Sequence, residues 1–409
     1  MNKTKTVHRW TILAASTIVL LCTGAIYAFS VLAGPLSASK GWSMPDIMLA
    51  FTINSAIAPI PMILGGFFTD RGWAKWSITI GGLMFGLGFF LSGLATSTGM
   101  LYATYGVLAG LGQGLAYSGC LSNTIKLFPD KKGLASGIIT AGMGGAAIIA
   151  APVANFLINQ QDAAHAFRIL GLAYMVIIAI ASFFIKAAPA NYQPAGWVPP
   201  VQAGGHFVNK NWLDMMKTPQ FYLIFFMLFT GAFSGLMIAS NASLIGQQMF
   251  KLSATTAAFY VSLYSLSNCL GRIVWGTVSD KIGRNQTLNI IFGVIVVAFL
   301  LLITLSSTVG FALGIIILGL CFGGVMGVFP PIVIENYGPK NQGVNYGIIF
   351  CGYSIAAFFG PKVAANMATA NNGDFTKAFY VAIVIAVVGL GLNLLYSALK
   401  KRAVTVAKA

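Results

Sequence analysis

The stretch GRIVWGTVSDKIGR, residues 271–284, decides how this chain is read. Its second half is a charged turn, and its first half is apolar apart from Arg272. An apolar run closed by such a turn marks the end of a membrane helix. Arg272 stands eight residues before Asp280, about 12 Å up that helix at about 1.5 Å per residue. A charge at mid-helix costs about 2.5–3.5 kcal/mol on insertion scales, so a compensating interaction is expected.

The rest of the chain agrees with a membrane setting. Hydrophobic residues make up 57% of the 409 and charged residues 8%, against about 25% charged in a soluble domain. A bilayer core of about 30 Å needs about 20 helical residues. That ruler predicts an all-α membrane protein with twelve transmembrane helices, near 10–32, 46–68, 77–96, 100–125, 133–158, 166–186, 219–245, 254–278, 286–306, 309–334, 343–369 and 377–399. The run 10–32 is too long for a signal-peptide core and reads as the first span. Gly, Ala and Ser are frequent in the spans, which suits close helix packing in lipid.

The net charge of +16 does not imply nucleic acid. With both termini cytoplasmic, eighteen of the 24 Lys and Arg, from Lys3, Lys5 and Arg9 to Lys401, Arg402 and Lys408, fall on cytoplasmic segments. Lys40, Arg168, Lys251 and Lys377 fall on the other side, the positive-inside pattern. Arg272 and Lys362 are left inside spans. Cys22, Cys120, Cys269, Cys321 and Cys351 also fall in spans without paired spacing, so neither a disulfide nor a metal site is expected. His8, His165 and His206 lie outside the spans. No nucleophile, metal cluster or pair of acids shares one depth. The expectation is therefore no catalytic residue, no cofactor and no enzyme.

The charged turn occurs twice. GFFTDRGWAK (66–75) and GTVSDKIGR (276–284) each place Asp four residues after Gly, followed by a basic residue. Gly66 and Gly276 are 210 apart, as are Asp70 and Asp280. The same offset lays GLASGI (133–138) on GVNYGI (343–348). The chain thus reads as two six-helix halves, 1–186 and 219–409. A cytoplasmic linker, 187–218, joins them and is kept extended by Pro189, Pro194, Pro199 and Pro200. Such a layout belongs to carriers whose halves rock about a central site.

The repeated turn resembles the signature loop of the major facilitator superfamily. The second copy fits fully, whereas in the first Gly72 comes one position early. LFPDKKGLASG (127–137) and KTPQFY (217–222) are similar to segments of the oxalate/formate antiporter family. The resemblance covers nearly the whole chain and implies a carrier of small carboxylates. It also implies a gating or structural role for Asp70 and Asp280, with Arg71, Lys281 and Arg284 beside them.

What compensates Arg272? The eight acids sit in loops or at span ends, so none is placed to pair with it near the midplane. The repeat puts Met62 at the equivalent position, 210 residues earlier, so the fold does not require a charge there. Snorkelling to the interface remains open. The favoured reading is a ligand, since a guanidinium binds carboxylate through two parallel hydrogen bonds. Tyr264, Asn268 and Arg272 are spaced i, i+4, i+8 and share one helix face. That stripe is either a site lining or a set of interhelical hydrogen bonds.

The resemblance adds Tyr27 on the first span, Tyr117 on the fourth, Phe322 and Met326 on the tenth and Tyr353 on the eleventh as cavity aromatics or their replacements. Oxalate exchangers carry Lys where this chain has Tyr353. One cation with a phenol suits a monocarboxylate better than a dianion, and the apolar Phe322 and Met326 suit a substrate with a methyl group. Packing is the alternative for each aromatic. Lys362 lies nine residues past Tyr353, about 13 Å toward the outer end of the span, where it snorkels or attracts anions. No Asp, Glu or His lies deep in a span. Exchange, uniport and entry of a proton on the substrate all stay open.

The chain therefore reads as a secondary transporter of small organic anions, with L-lactate or pyruvate favoured. Oxalate:formate exchange is the alternative within carriers, and a non-transporting anion sensor the alternative outside them. Its expected partners are the carboxylate, a proton or counter-anion and the lipid bilayer. A monomer in a prokaryotic inner membrane is expected.

Overall fold

The computed structural model describes residues 8–189, 192–194, 196–197, 209–305 and 307–406. Lys3, Lys5, Lys408, His206, Pro199 and Pro200 lie outside the described residues, as do the side chains of Lys401 and Arg402. Among the described residues the regular structure is entirely helical. The helices are α1 (Arg9–Thr23), α2 (Phe29–Lys40), α3 (Met44–Ile57), α4 (Pro59–Asp70), α5 (Ala74–Ser92), α6 (Thr98–Leu101), α7 (Gly110–Leu127), α8 (Lys132–Gln160) and α9 (Ala163–Phe184). They continue with α10 (Trp212–Met216), α11 (Pro219–Gln248), α12 (Ala254–Ile282), α13 (Arg284–Thr304), α14 (Thr308–Tyr337), α15 (Gln342–Ile349), α16 (Cys351–Ala370) and α17 (Thr376–Val406). A helix satisfies its own backbone hydrogen bonds, which is what hydrocarbon demands of a spanning segment.

Nine helical segments among the described residues are long and apolar enough to cross a membrane. There are ten when α3 and α4, bent by 41° at the break, count as one span. The expected spans 100–125 and 254–278 are helical but fall below that apolar threshold. Their polar content is the reason. α7 buries Gln113, Ser118, Ser122, Asn123 and Thr124, and α12 buries Ser267, Asn268, Arg272 and Ser279.

The chain forms two compact units. The first comprises Met1–Asp130, Ile138–Trp197 and Lys340–Ile348. Within it α5 packs on α7 and α9, α4 on α7, and α1 on α9. Glycines permit the approach: Gly81 lies on the backbone of Gly112, and Gly86 on that of Gly171, so that an added Cβ would overlap. Phe89 anchors an aromatic core, with its ring centroid 5.4 Å from Tyr105, 5.5 Å from Phe167 and 5.6 Å from Tyr174. Three irregularities interrupt its helices: a 3₁₀ turn at Gly24–Ala28, the bend between α3 and α4, and a π-wound run at Tyr102–Ala109. Buried Asn123 holds the chain as it leaves α9. Its amide donates to the carbonyl of Lys186 at 2.9 Å and its oxygen accepts from the N–H of Ala188 at 2.8 Å.

The second unit comprises Lys131–Gly137, Val198–Pro339 and Ile349–Ala409. Here α12 packs on α14, α11 on α16, and α13 on α17. Gly319, Gly323 and Gly327, one every four residues along α14, lie against the backbone of α12 at Tyr264, Asn268 and Arg272. Asn393 of α17 donates to the carbonyl of Asn285 and to Oδ1 of Asn289, both at 2.8 Å.

Candidate functional site

α12 carries the polar stripe. Ser253 caps its start by accepting from the N–H of Thr256, and Gly283, at φ 88°, ends it. Between them the helix is backed by the glycines of α14, which fix its backbone where the stripe begins and ends. Arg272 is only 5% exposed. Its Nε donates to Oδ1 of Asn268 at 3.3 Å, which orients the guanidinium along the helix. A guanidinium so oriented can present a planar fork to an anion.

Tyr264 is used differently. Its buried hydroxyl donates to the carbonyl of Gly235 in α11 at 2.7 Å. The ring of Phe322 packs on the same glycine. These two residues therefore join α11, α12 and α14, and Met326 is buried one turn further along α14. Tyr353 lies just past the interruption at Phe350, half-buried and stacked on the Phe350 ring at 4.5 Å. Lys362 is exposed, with its ammonium 4.1 Å from the ring centroid of Phe358. In the first unit Tyr117 is buried in α7, whereas Tyr27 is 42% exposed within the 3₁₀ turn.

The eight carboxylates make their described bonds away from Arg272. Asp46 accepts from the hydroxyl of Ser43 at a helix start, Asp162 and Asp374 cap helix starts by accepting from the N–H groups of His165 and Thr376, and Asp214 pairs with Lys217 at 3.8 Å. Asp130 grips Arg9 with two bonds of 2.5 and 3.0 Å. Glu335 accepts from Nε of Arg284 at 3.1 Å. Asp70 accepts from the N–H groups of Gly343 and Val344, both at 3.1 Å, and from Lys126 at 2.7 Å. Asp280 accepts from the N–H groups of Gly133 and Leu134, both at 2.9 Å, and from Nη2 of Arg284 at 2.7 Å.

Of the five charged-turn residues singled out from sequence, Asp70, Asp280 and Arg284 stand in these clusters. Arg71 and Lys281 are exposed, and Arg71 stacks on the ring of Phe67 at 3.3 Å. The sequence reading missed Lys126 and Glu335 as cluster members and Arg9 as the partner of Asp130. Only Glu335 carried a signal, as the sole glutamate in the chain.

Residues 13–361 match the profile of the Major Facilitator Superfamily. Over 389 residues the chain is 29% identical to the oxalate:formate antiporter of Oxalobacter formigenes, covering 94% of this chain and 90% of that one. Over 374 residues it is 24% identical to monocarboxylate transporter 12 of Xenopus laevis, covering 83% and 78%. Among solved structures, the human organic anion transporter MFSD10 is similar with a TM-score of 0.73 at 14% identity, over 95% of this chain and 100% of that chain. Identity that low speaks for the fold alone.

Proposed function

Because the chain belongs to the Major Facilitator Superfamily, and is thus a carrier rather than an enzyme, we propose that it transports small monocarboxylates such as L-lactate or pyruvate by alternating access. The observation that carries this reading is the buried Arg272, aimed by Asn268 on a helix locked in place by three glycines of α14. In this proposal Arg272 anchors the carboxylate and Asn268 holds the anchor. Tyr27, Tyr117 and Tyr353 supply phenols and ring faces, while Tyr264, Phe322 and Met326 shape the wall. Asp70, Asp280 and Arg284 control opening, with Arg71 and Lys281 at the rim. The proposal includes twelve crossings, with 1–186 and 219–409 as halves and 187–218 as linker. It also includes cytoplasmic termini, a prokaryotic inner membrane and a monomer.

A second reading, oxalate:formate exchange, draws on the relative of that name, whose similarity spans 94% of this chain. Counterflow in proteoliposomes separates the two. Labelled L-lactate is offered outside to vesicles holding unlabelled lactate, with oxalate, formate and pyruvate as competitors. Lactate counterflow inhibited by pyruvate and not by oxalate supports the monocarboxylate reading. Counterflow of labelled oxalate, with none of lactate, overturns it in favour of exchange.

A further inference from the structure

We propose that Tyr105 is a positioning residue for Tyr27, and that it sets the direction in which Tyr27 meets the transported anion. This rests on reading Tyr27 as part of the anion path. Tyr27 is the one exposed side chain between residues 22 and 29, with buried neighbours on both sides. It sits inside the 3₁₀ turn Gly24–Ala28. A 3₁₀ helix winds about 120° per residue and an α-helix about 100°. Three residues past Gly24, the difference has turned Tyr27 by roughly 60° relative to a continuous α-helix. Whatever holds the turn in its 3₁₀ form therefore aims the ring.

Tyr105 holds that turn at its middle residue and at the residue just past its end. The 3₁₀ winding is closed by the N–H of Phe29 donating to the carbonyl of Ile26. The hydroxyl of Tyr105 donates to that same carbonyl, at 3.3 Å. A carbonyl has two lone pairs, so both bonds coexist. The Tyr105 ring also stacks on Phe29, with centroids 4.2 Å apart and planes 29° from parallel. Residues 26 and 29 are thus both held, with Tyr27 between them. In an α-helix the carbonyl of Ile26 would instead accept from Ser30, four residues on.

Tyr105 is itself firmly placed. It is fully buried and belongs to the π-wound run Tyr102–Ala109. Its carbonyl accepts from Nδ2 of buried Asn54 in α3 at 3.0 Å, one turn before the bend into α4. Gly106 and Gly110 lie on α3 at Ile53 and Asn54, where an added Cβ would come within 3.0–3.1 Å of their side chains. The irregular run in the fourth predicted span therefore presents Tyr105 to the irregular turn in the first.

The test is a double-mutant cycle on Tyr105→Phe and Tyr27→Ala. Phe keeps the stacking and removes only the hydroxyl. Initial uptake of labelled L-lactate and labelled oxalate is measured in proteoliposomes, using whichever anion is carried. Detergent melting is recorded in parallel. The expected result is a KM raised about fivefold by Tyr27→Ala and about threefold by Tyr105→Phe. Vmax should stay within about twofold and Tyr105→Phe should leave the melting temperature unchanged. The double variant should match Tyr27→Ala alone. A Tyr105→Phe variant with unchanged KM, or one whose effect multiplies that of Tyr27→Ala, overturns the inference and leaves Tyr27 in the site. An unchanged KM in Tyr27→Ala overturns both the inference and the placing of Tyr27 in the anion path.

Discussion

The two charged turns differ in an instructive way. In both, an aspartate takes two consecutive backbone N–H groups at the start of a helix. Asp70 takes those of Gly343 and Val344, and Asp280 those of Gly133 and Leu134. The 210-residue offset maps one set of partners onto the other. The cations do not follow the repeat. Asp280 is paired by Arg284 of its own turn, which also holds Ser279 and Glu335. Asp70 is paired by Lys126, the basic residue in the last turn of α7. The position equivalent to Arg284 is Ala74.

The early glycine accounts for the difference. α4 stops at Asp70, and Gly72, at φ 87°, turns the chain at once. α12 runs two residues past Asp280 before Gly283 turns it, so Arg284 falls back onto the carboxylate. Helix capping is thus the shared device. The neutralising cation is supplied by whichever helix is near.

The largest expected contrast between the halves is at the anchor. Arg272→Ala should abolish counterflow while the protein stays folded in the membrane. Met62→Leu at the equivalent position should leave the rate within about twofold and cost less than about 1.5 kcal/mol. Equal losses in both variants would remove the asymmetry on which the proposed anion site rests.

Next come the caps. Asp280→Ala should slow transport more than tenfold and cost about 3 kcal/mol, since it strips a partner from the buried Arg284. Asp70→Ala should cost less, because Lys126 is a single cation that can reach water. Melting of the two purified variants decides the order, and an inverted order would refute the argument from the burial of Arg284.

A smaller effect tests the borrowed cation. Lys126→Ala should destabilise by about 2 kcal/mol, the range of one charge-assisted hydrogen bond, and Lys126→Arg should recover most of it. Failure of arginine to recover stability would show that the ammonium geometry matters, not the charge. The smallest effects belong to Arg71→Ala and Lys281→Ala, each within about 0.5 kcal/mol of the parent as exposed substitutions. A large loss of uptake in either would support the gating role expected of it from the sequence.

Much of this was legible in the sequence. The helices follow from long apolar runs, and the paired turns from one offset. The four-residue spacing of Asn268 and Arg272 predicts a shared face, and α12 places them in hydrogen-bond contact. What was not legible depends on contacts between distant segments. Lys126 and Glu335 look like ordinary span ends until the folded chain brings them to Asp70 and Arg284. The phenol of Tyr264 looks available from the stripe, yet it is bonded to a backbone carbonyl of α11. Helix type is also hidden. Nothing in GAIYA announces a 3₁₀ turn or in YATYGVLA a π-run; both lie where a buried side chain from another segment, Tyr105 or Asn54, bonds to their backbone carbonyls.

The 3₁₀ turn has a consequence in length. Five residues rising about 2.0 Å each, in place of about 1.5 Å, make the helical stretch Arg9–Lys40 roughly 2.5 Å longer than an unbroken α-helix. That is about half the difference in hydrocarbon thickness between thin and thick biological membranes. Wound as α-helix throughout, the same 32 residues would be that much shorter, so any change of winding in the turn would shift the residues beyond it along the helix axis by the same length.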